Sequence, residues 1–178
     1  MIQAGLRNDS VHILPDVLAR SLDIVFCGTA AGRESARRRA YYAGPGNAFW
    51  PTLHAIGLTP VEFAPEDYAR VQDHGLGLTD LAKYVSGSDA DLSRADFSRA
   101  QLHAKLKEYR PRILAFTSKR AAEEFVGHRV NYGVLAESIE GAVLFALTSP
   151  SGLARGHWHD ARYWRELAEL RTSLRTCG

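Results

Sequence analysis

Three stretches of this sequence concentrate residues able to grip or attack a polar ligand. The first is Gly28-Thr-Ala-Ala-Gly32, trailed by Arg33, Arg37, Arg38 and Arg39. Glycines at that spacing let backbone approach a ligand, and guanidinium forks match phosphate oxygens bidentately. The plain alternative is a solvated basic turn. The stretch fits neither G-x-G-x-x-G nor G-x-x-x-x-G-K-[ST] and has no lysine for a phosphate chain, which argues against a P-loop. It continues into Ala40-Tyr-Tyr-Ala-Gly-Pro-Gly-Asn-Ala-Phe-Trp50, with two aromatics, a Pro-Gly turn and Asn47 placed to cap a helix. The second stretch, Gly77-Leu-Thr-Asp-Leu81, carries the Asp80 carboxylate. The third is Thr148-Ser-Pro-Ser-Gly-Leu-Ala-Arg155, followed closely by His157 and His159. A lone His-x-His is a weak metal signal, so no metal site is expected.

Regular elements must hold these stretches in place. Apolar runs at 22–28, 112–117 and 142–147 read as buried strands, and 77–81 as a short strand or its exit. Helical spacing falls at 47–56, 65–72, 93–109, 118–126 and 157–174, with Asn47, Ser93 and Ser118 as caps. Residues 29–46 are too polar and glycine-punctuated for a regular element. Strands alternating with helices predict an α/β fold: one three-layer αβα domain over residues 1–178, with a central, mostly parallel four-stranded sheet. Ligands of such sheets sit beyond the carboxyl ends of the strands. The three unusual stretches are the loops that follow strands there.

Composition narrows the class. With 178 residues, 46% hydrophobic and 24% charged, the chain is of ordinary globular make-up and long enough for one core. No apolar run approaches the ~20 residues of a membrane span, and residues 1–10 lack an apolar signal core. Cys27 and Cys177 are too few for a disulfide framework or a four-ligand iron–sulfur cluster. A cytoplasmic, monomeric protein without membrane contact or cofactor is the expectation. The net charge of +2 does not by itself demand nucleic acid.

The loops nevertheless resemble the uracil-DNA glycosylase superfamily. The Gly-x-x-x-Gly loop and Tyr42-Ala-Gly-Pro-Gly-Asn47-Ala-Phe49-Trp50 are similar to the first motif region of its mismatch-specific uracil/thymine and, more closely, its hypoxanthine groups. Thr148 to Arg155 looks like the second motif, Asn-Pro-Ser-Gly-Leu-Ser-Arg in the mismatch-specific enzymes, and Gly77 to Leu81 is similar to a segment between the two. The likeness spans residues 22–164. It departs at Ala30, where the mismatch-specific enzymes carry a water-positioning Asn, and at Ser149, where the second motif has Asn or His.

The resemblance implies a monofunctional glycosylase acting in DNA repair on DNA that carries a deaminated base: uracil first, then hypoxanthine or xanthine. The base is flipped into a pocket and cut from its sugar by water at an oxocarbenium-like centre, leaving an abasic site. Asn47, Asp80 and His157 are the catalytic candidates; each could instead be a cap, an ion-pair partner or a helix start, and His159 stands behind them. Gly28, Thr29, Ala30, Tyr42 and Ser149 would meet the base, with Tyr42 stacking on it. Arg37, Arg38, Arg39, Ser151, Gly152 and Arg155 would meet DNA, and Leu153 would fill the gap left in the stack. Glu34 is expected to pair with one of the arginines. No lysine stands in a motif position, which argues against a strand-cleaving lyase. Two competing readings remain: a catalytically weak damaged-DNA-binding protein on the same fold, and a nucleotide-metabolising enzyme on a similar sheet.

Overall fold

A computed structural model describes residues 11–152 and 161–176. Its centre is a five-stranded sheet in the order β2-β1-β3-β5-β4. β1 is Ile24–Ala31, β2 Leu76–Ser86, β3 Ile113–Phe116, β4 Gly133–Ile139 and β5 Ala142–Ala146. The pairs β1–β2, β1–β3 and β3–β5 are parallel, and β4 runs antiparallel to β5. Helices flank both faces: α1 (Arg33–Arg38), α2 (Phe49–Ala55), α3 (Arg99–Tyr109), α4 (Lys119–Val126) and α5 (Arg162–Thr176), with a 3-10 segment at Pro65–His74.

The alternation of side chains along the strands splits the core in two. On one face Ile24, Phe26, Leu76, Leu78, Ile113 and Ala115 meet α2 and α5 through Phe49, Leu53, Trp164 and Leu167. On the other, Val25, Cys27, Leu114 and Phe116 meet α3 and α4 through Leu102, Leu106, Ala122 and Phe125. Both faces of the parallel strands are therefore apolar, which is why those strands read as continuous runs. The expected three-layer arrangement is present.

Three differences from the sequence reading have physical causes. The fifth strand, β4, is a half-exposed edge whose alternation includes Glu137. It returns into β5 through Glu140 and Gly141 at φ +52° and +83°, a left-handed pair without the usual Asn-Gly signature. α1 lies inside the stretch taken as irregular; only Ser35 of its six residues is buried, so it has no apolar face to detect. The helix from 93 splits: Ser93 caps a short 3-10 turn at Arg94–Asp96, and Ser98 caps α3 by accepting from the Gln101 N–H.

The two ends of the sheet are built differently. At the amino ends of the strands, Arg171 of α5 donates from Nε to the Asp23 carboxylate at 3.1 Å and also bonds the His74 carbonyl, with Arg175 2.7 Å from Asp23. Asp23 and Arg171 are both buried. Arg171→Met removes the buried partner of Asp23 and leaves the carboxylate to the more exposed Arg175 and Arg112, so it is expected to cost about 1–3 kcal/mol in chemical denaturation. The anchor sits at the opposite end of the strands from the loops that follow β1 and β5, so the substitution should weaken the fold without rearranging those loops.

Candidate active site

The carboxyl ends of the strands gather the other polar groups. β1 lies between β2 and β3, so the chain changes direction across the sheet at the exit of β1, the usual ligand crevice of an open α/β sheet. Gly28 pairs in register with Asp80 across β1 and β2. A Cβ on Gly28 would lie 2.6 Å from Asp80 Oδ1 and 3.6 Å from Thr117 Oγ1. Only glycine leaves room there for the carboxylate to lie across the strand.

Asp80 is 5% exposed, and no described residue donates a hydrogen bond to its carboxylate. Among the described residues the one fully buried side-chain oxygen without a hydrogen-bond partner is Thr59 Oγ1, so the Asp80 oxygens, which accept from no donor, reach the open crevice. Burial dominates its titration and pushes it up to about 6, opposed chiefly by the nearby Lys83 ammonium and reinforced by Asp16. It neither caps a helix nor pairs with an arginine among the described residues.

Tyr42 neighbours this group. Its phenol donates to Thr117 Oγ1 at 3.3 Å, and its ring stacks on Phe49 with centroids 3.8 Å apart and planes at 15°. Its backbone is left-handed, φ +55°, a conformation that costs a non-glycine residue about 1 kcal/mol. Contacts on either side hold the strain: the ring is pinned by Phe49, and Trp50 donates its Nε1–H to the Tyr41 carbonyl at 3.0 Å. Burial and the neighbouring Asp80 keep the Tyr42 phenol protonated far beyond neutral pH.

Asn47 accepts from the Phe49 N–H through Oδ1 at 3.0 Å; it stands one residue before the cap position of α2, which is Ala48 rather than Asn47, and ties up the first N–H of the helix from there. It also lines an open groove of about 380 Å³ together with Tyr42, Glu34, Arg38, Trp50 and Phe63. Asp80 is not among the residues that line it.

The first and third loops are joined. The Ala48 N–H donates to the Pro150 carbonyl at 2.8 Å. Gly152 packs so closely that a Cβ there would lie 2.3 Å from the Pro45 carbonyl oxygen. Ser149 turns back to accept from the Ser151 N–H at 3.3 Å, and Trp164 of α5 donates to both oxygens of Thr148. β1 runs on past Gly28 to Ala31, so the first residues of the expected irregular loop are strand: Ala30 pairs with Ala82, and Thr29 donates to Asp89 of the segment after β2 at 2.8 Å.

The basic run divides. Arg37 forms a two-pronged bond with Glu34, as the sequence suggested, and Arg38 pairs with Glu66 and donates to the Ala43 carbonyl. Arg39 closes α1 in a left-handed conformation, exposed, with no partner among the described residues. Leu153, Arg155, His157 and His159 lie outside the described residues. Sequence reasoning missed Lys83 and Thr117: the strand expected at 77–81 runs on as β2 to Ser86 and so carries Lys83, while Thr117, read as the last residue of a strand, lies just past β3.

The chain is thus an open α/β sheet with a desolvated carboxylate, a left-handed tyrosine and two interlocked loops at its crevice. The chain belongs to the uracil DNA glycosylase superfamily, whose family model matches residues 15–168. At the level of the family it is a DNA glycosylase, a hydrolase of base excision repair. A solution NMR structure of a candidate uracil DNA glycosylase from Methanosarcina acetivorans is similar, with a TM-score of 0.60 and 22% sequence identity over 92% of this chain and 97% of that one. At that identity the likeness establishes the shared fold.

Proposed function

We propose that the chain is a monofunctional glycosylase that hydrolyses the N-glycosidic bond of a deaminated base in DNA, uracil first and hypoxanthine or xanthine after it. One observation carries this reading: the buried Asp80 carboxylate, with no hydrogen-bond donor among the described residues, against Gly28 and near Tyr42. A carboxylate beside the sugar stabilises the positive charge that grows at C1′ and orients the attacking water. The bond from C1′ to the base nitrogen breaks with its electron pair leaving on the base. The water oxygen bonds to C1′, and its proton passes to Asp80 and on to solvent. Backbone N–H groups at the exit of β1 (Gly28, Thr29 and Ala30) would stabilise charge on the leaving base, with Ser149 facing it from the third loop. Tyr42 would stack on the flipped base.

Asn47 holds a second position in this scheme. Its Oδ1 is taken by the first N–H of α2, which leaves the amide to steer water or a base edge. Asn47→Ala is expected to slow single-turnover release by about 10²-fold and to cost about 1 kcal/mol of stability through the lost bond to that N–H. Near-normal release would remove Asn47 from the chemistry and leave it a support of the helix end. His157 stays a third candidate on the strength of the resemblance alone.

On the DNA side, Arg39 is the arginine of the run best placed to meet phosphate, because Arg37 and Arg38 are already engaged by carboxylates. Ser151, Gly152, Leu153 and Arg155 would enter the duplex, Leu153 as the wedge. The protein would act as a monomer in the cytoplasm, on nucleoid DNA. The test of substrate is release from oligonucleotides carrying uracil, hypoxanthine or xanthine, single-stranded and paired, under single-turnover conditions. The expected order places uracil first; a strong preference for hypoxanthine would move the base assignment while keeping the scheme.

A further inference from the structure

The hydroxyl of Thr117 stands at the crevice with one hydrogen-bonding duty unfilled. Thr117 follows β3 directly, and its N–H donates to the Cys27 carbonyl at 3.0 Å. Ser118, the next residue, caps α4 by accepting from the Ala121 N–H at 3.1 Å. The backbone is thus held on both sides, and the residue is only 4% exposed. Its Oγ1 would lie 3.6 Å from a Cβ on Gly28, the glycine against which Asp80 packs. Thr117 and Asp80 therefore border the same part of the crevice, one from the end of β3 and the other from β2.

A hydroxyl carries one proton and two acceptor lone pairs. Tyr42 donates to one of those lone pairs at 3.3 Å. The Thr117 proton itself meets no acceptor among the described residues, and Asp80 takes no hydrogen bond from it. The Tyr42 ring has Phe49 stacked on one face with centroids 3.8 Å apart. A flipped base stacked on the opposite face has one edge alongside the phenol oxygen, and Thr117 Oγ1 is next to that oxygen.

We propose that Thr117 is a specificity-determining residue of the base pocket: its hydroxyl, turned by the Tyr42 phenol, donates to the exocyclic oxygen that deamination leaves in place of an amine. The inference rests on the stacking role given to Tyr42 under the proposed function. Uracil presents that oxygen at C4 and hypoxanthine at C6. Either oxygen accepts the Thr117 proton while Tyr42 keeps donating to Thr117, so every donor is satisfied. The amine of cytosine or adenine can only donate. Thr117 would then accept from both the amine and Tyr42, and its own proton would be buried without a partner, the unfavourable arrangement. The contact does not separate xanthine from guanine, which share the C6 oxygen.

The test is single-turnover release from duplexes of one sequence carrying uracil or 2-pyrimidinone, which is uracil without the C4 oxygen. Thr117→Val keeps the branched shape and removes the hydroxyl. It should slow uracil release by about 10- to 10²-fold and leave 2-pyrimidinone release at the parent rate. Tyr42→Phe keeps the stacking ring and lets the Thr117 hydroxyl turn. It should slow uracil release by about 10-fold, again sparing 2-pyrimidinone, and carries the test if Thr117→Val does not fold. Thr117→Ser, which keeps the proton, should release uracil near the parent rate. In an Asp80→Asn background, where release is slow, affinities for the two duplexes should show the same split. Equal losses on both bases, or uracil release and affinity that ignore both substitutions, overturn the proposal. A parent chain that binds the uracil duplex and releases no base removes the glycosylase reading instead, and the affinity split then still decides the role of Thr117.

Discussion

Asp80→Asn is expected to yield a protein that is more stable and nearly inactive. Burial raises the Asp80 carboxyl from its ordinary 3.8 to about 6. Between those values the folded chain retains a proton that the unfolded chain has released. Stability therefore falls as pH rises through that window, and above it the ionised carboxylate costs the fold roughly 3 kcal/mol in order of magnitude. Asparagine has the same shape and no charge to desolvate. At about pH 7.5 the variant should be stabilised by about 1–3 kcal/mol, visible as a thermal midpoint several degrees higher. Base release should drop by about 10²- to 10⁴-fold. In the parent, the rate should fall as pH is lowered through about 6, where the carboxylate takes up its proton, and the residual rate of the variant should lack that limb. A purely structural Asp80 would give the reverse pair, a weakened fold with intact release.

The second large effect is expected at Gly152, which has no reactive atom. A methyl group there meets the backbone carbonyl of Pro45 at 2.3 Å and the Gly46 carbonyl carbon at 3.2 Å. Backbone on both sides cannot yield as a flexible side chain would, so the third loop must lift from the first. That movement breaks the bond from the Ala48 N–H to Pro150 and displaces Asn47 next to it. Displacement by about 1 Å commonly costs 10²-fold in rate. Gly152→Ala should thus lose about two orders of magnitude in single-turnover release. The core packing of Trp164 and Phe49 is untouched, so denaturation should show a loss of no more than about 2 kcal/mol. Parent-like release would mean that the interlocking of the loops is incidental.

The buried strands and most helices were legible in the sequence because their patterns are of one kind: continuous apolar runs for strands covered on both faces, and apolar spacing with caps for helices such as α4 after Ser118. β4 escaped because an edge strand with Glu137 in its alternation looks like loop, and α1 because it has no apolar face. The site was readable where a residue type is unusual for its surroundings, as with the Pro-Gly turn before Asn47 or an aspartate within an apolar run, although the expected end of that strand at Leu81 fell short of its true end at Ser86. Asn47 shows the limit, since an amide that supports a helix end and a catalytic amide use the same residue at the same place. Lys83 and Thr117 could not be found that way; their significance comes from partners far away along the chain, Asp16 for Lys83 and Tyr42 for Thr117. The arginine run illustrates the opposite error of reading charge as availability, because Arg37 and Arg38 spend theirs on Glu34 and Glu66.

The most direct test of the glycosylase assignment is made on one uracil-containing duplex with excess protein and EDTA present, following free base and strand integrity in the same samples while binding is recorded in parallel. Uracil should be released in a single exponential phase, with strands that stay whole until alkali is added. Tight, lesion-dependent binding by a folded protein with no base released would contradict the assignment, and would make this chain a reader of damaged DNA that does not cut.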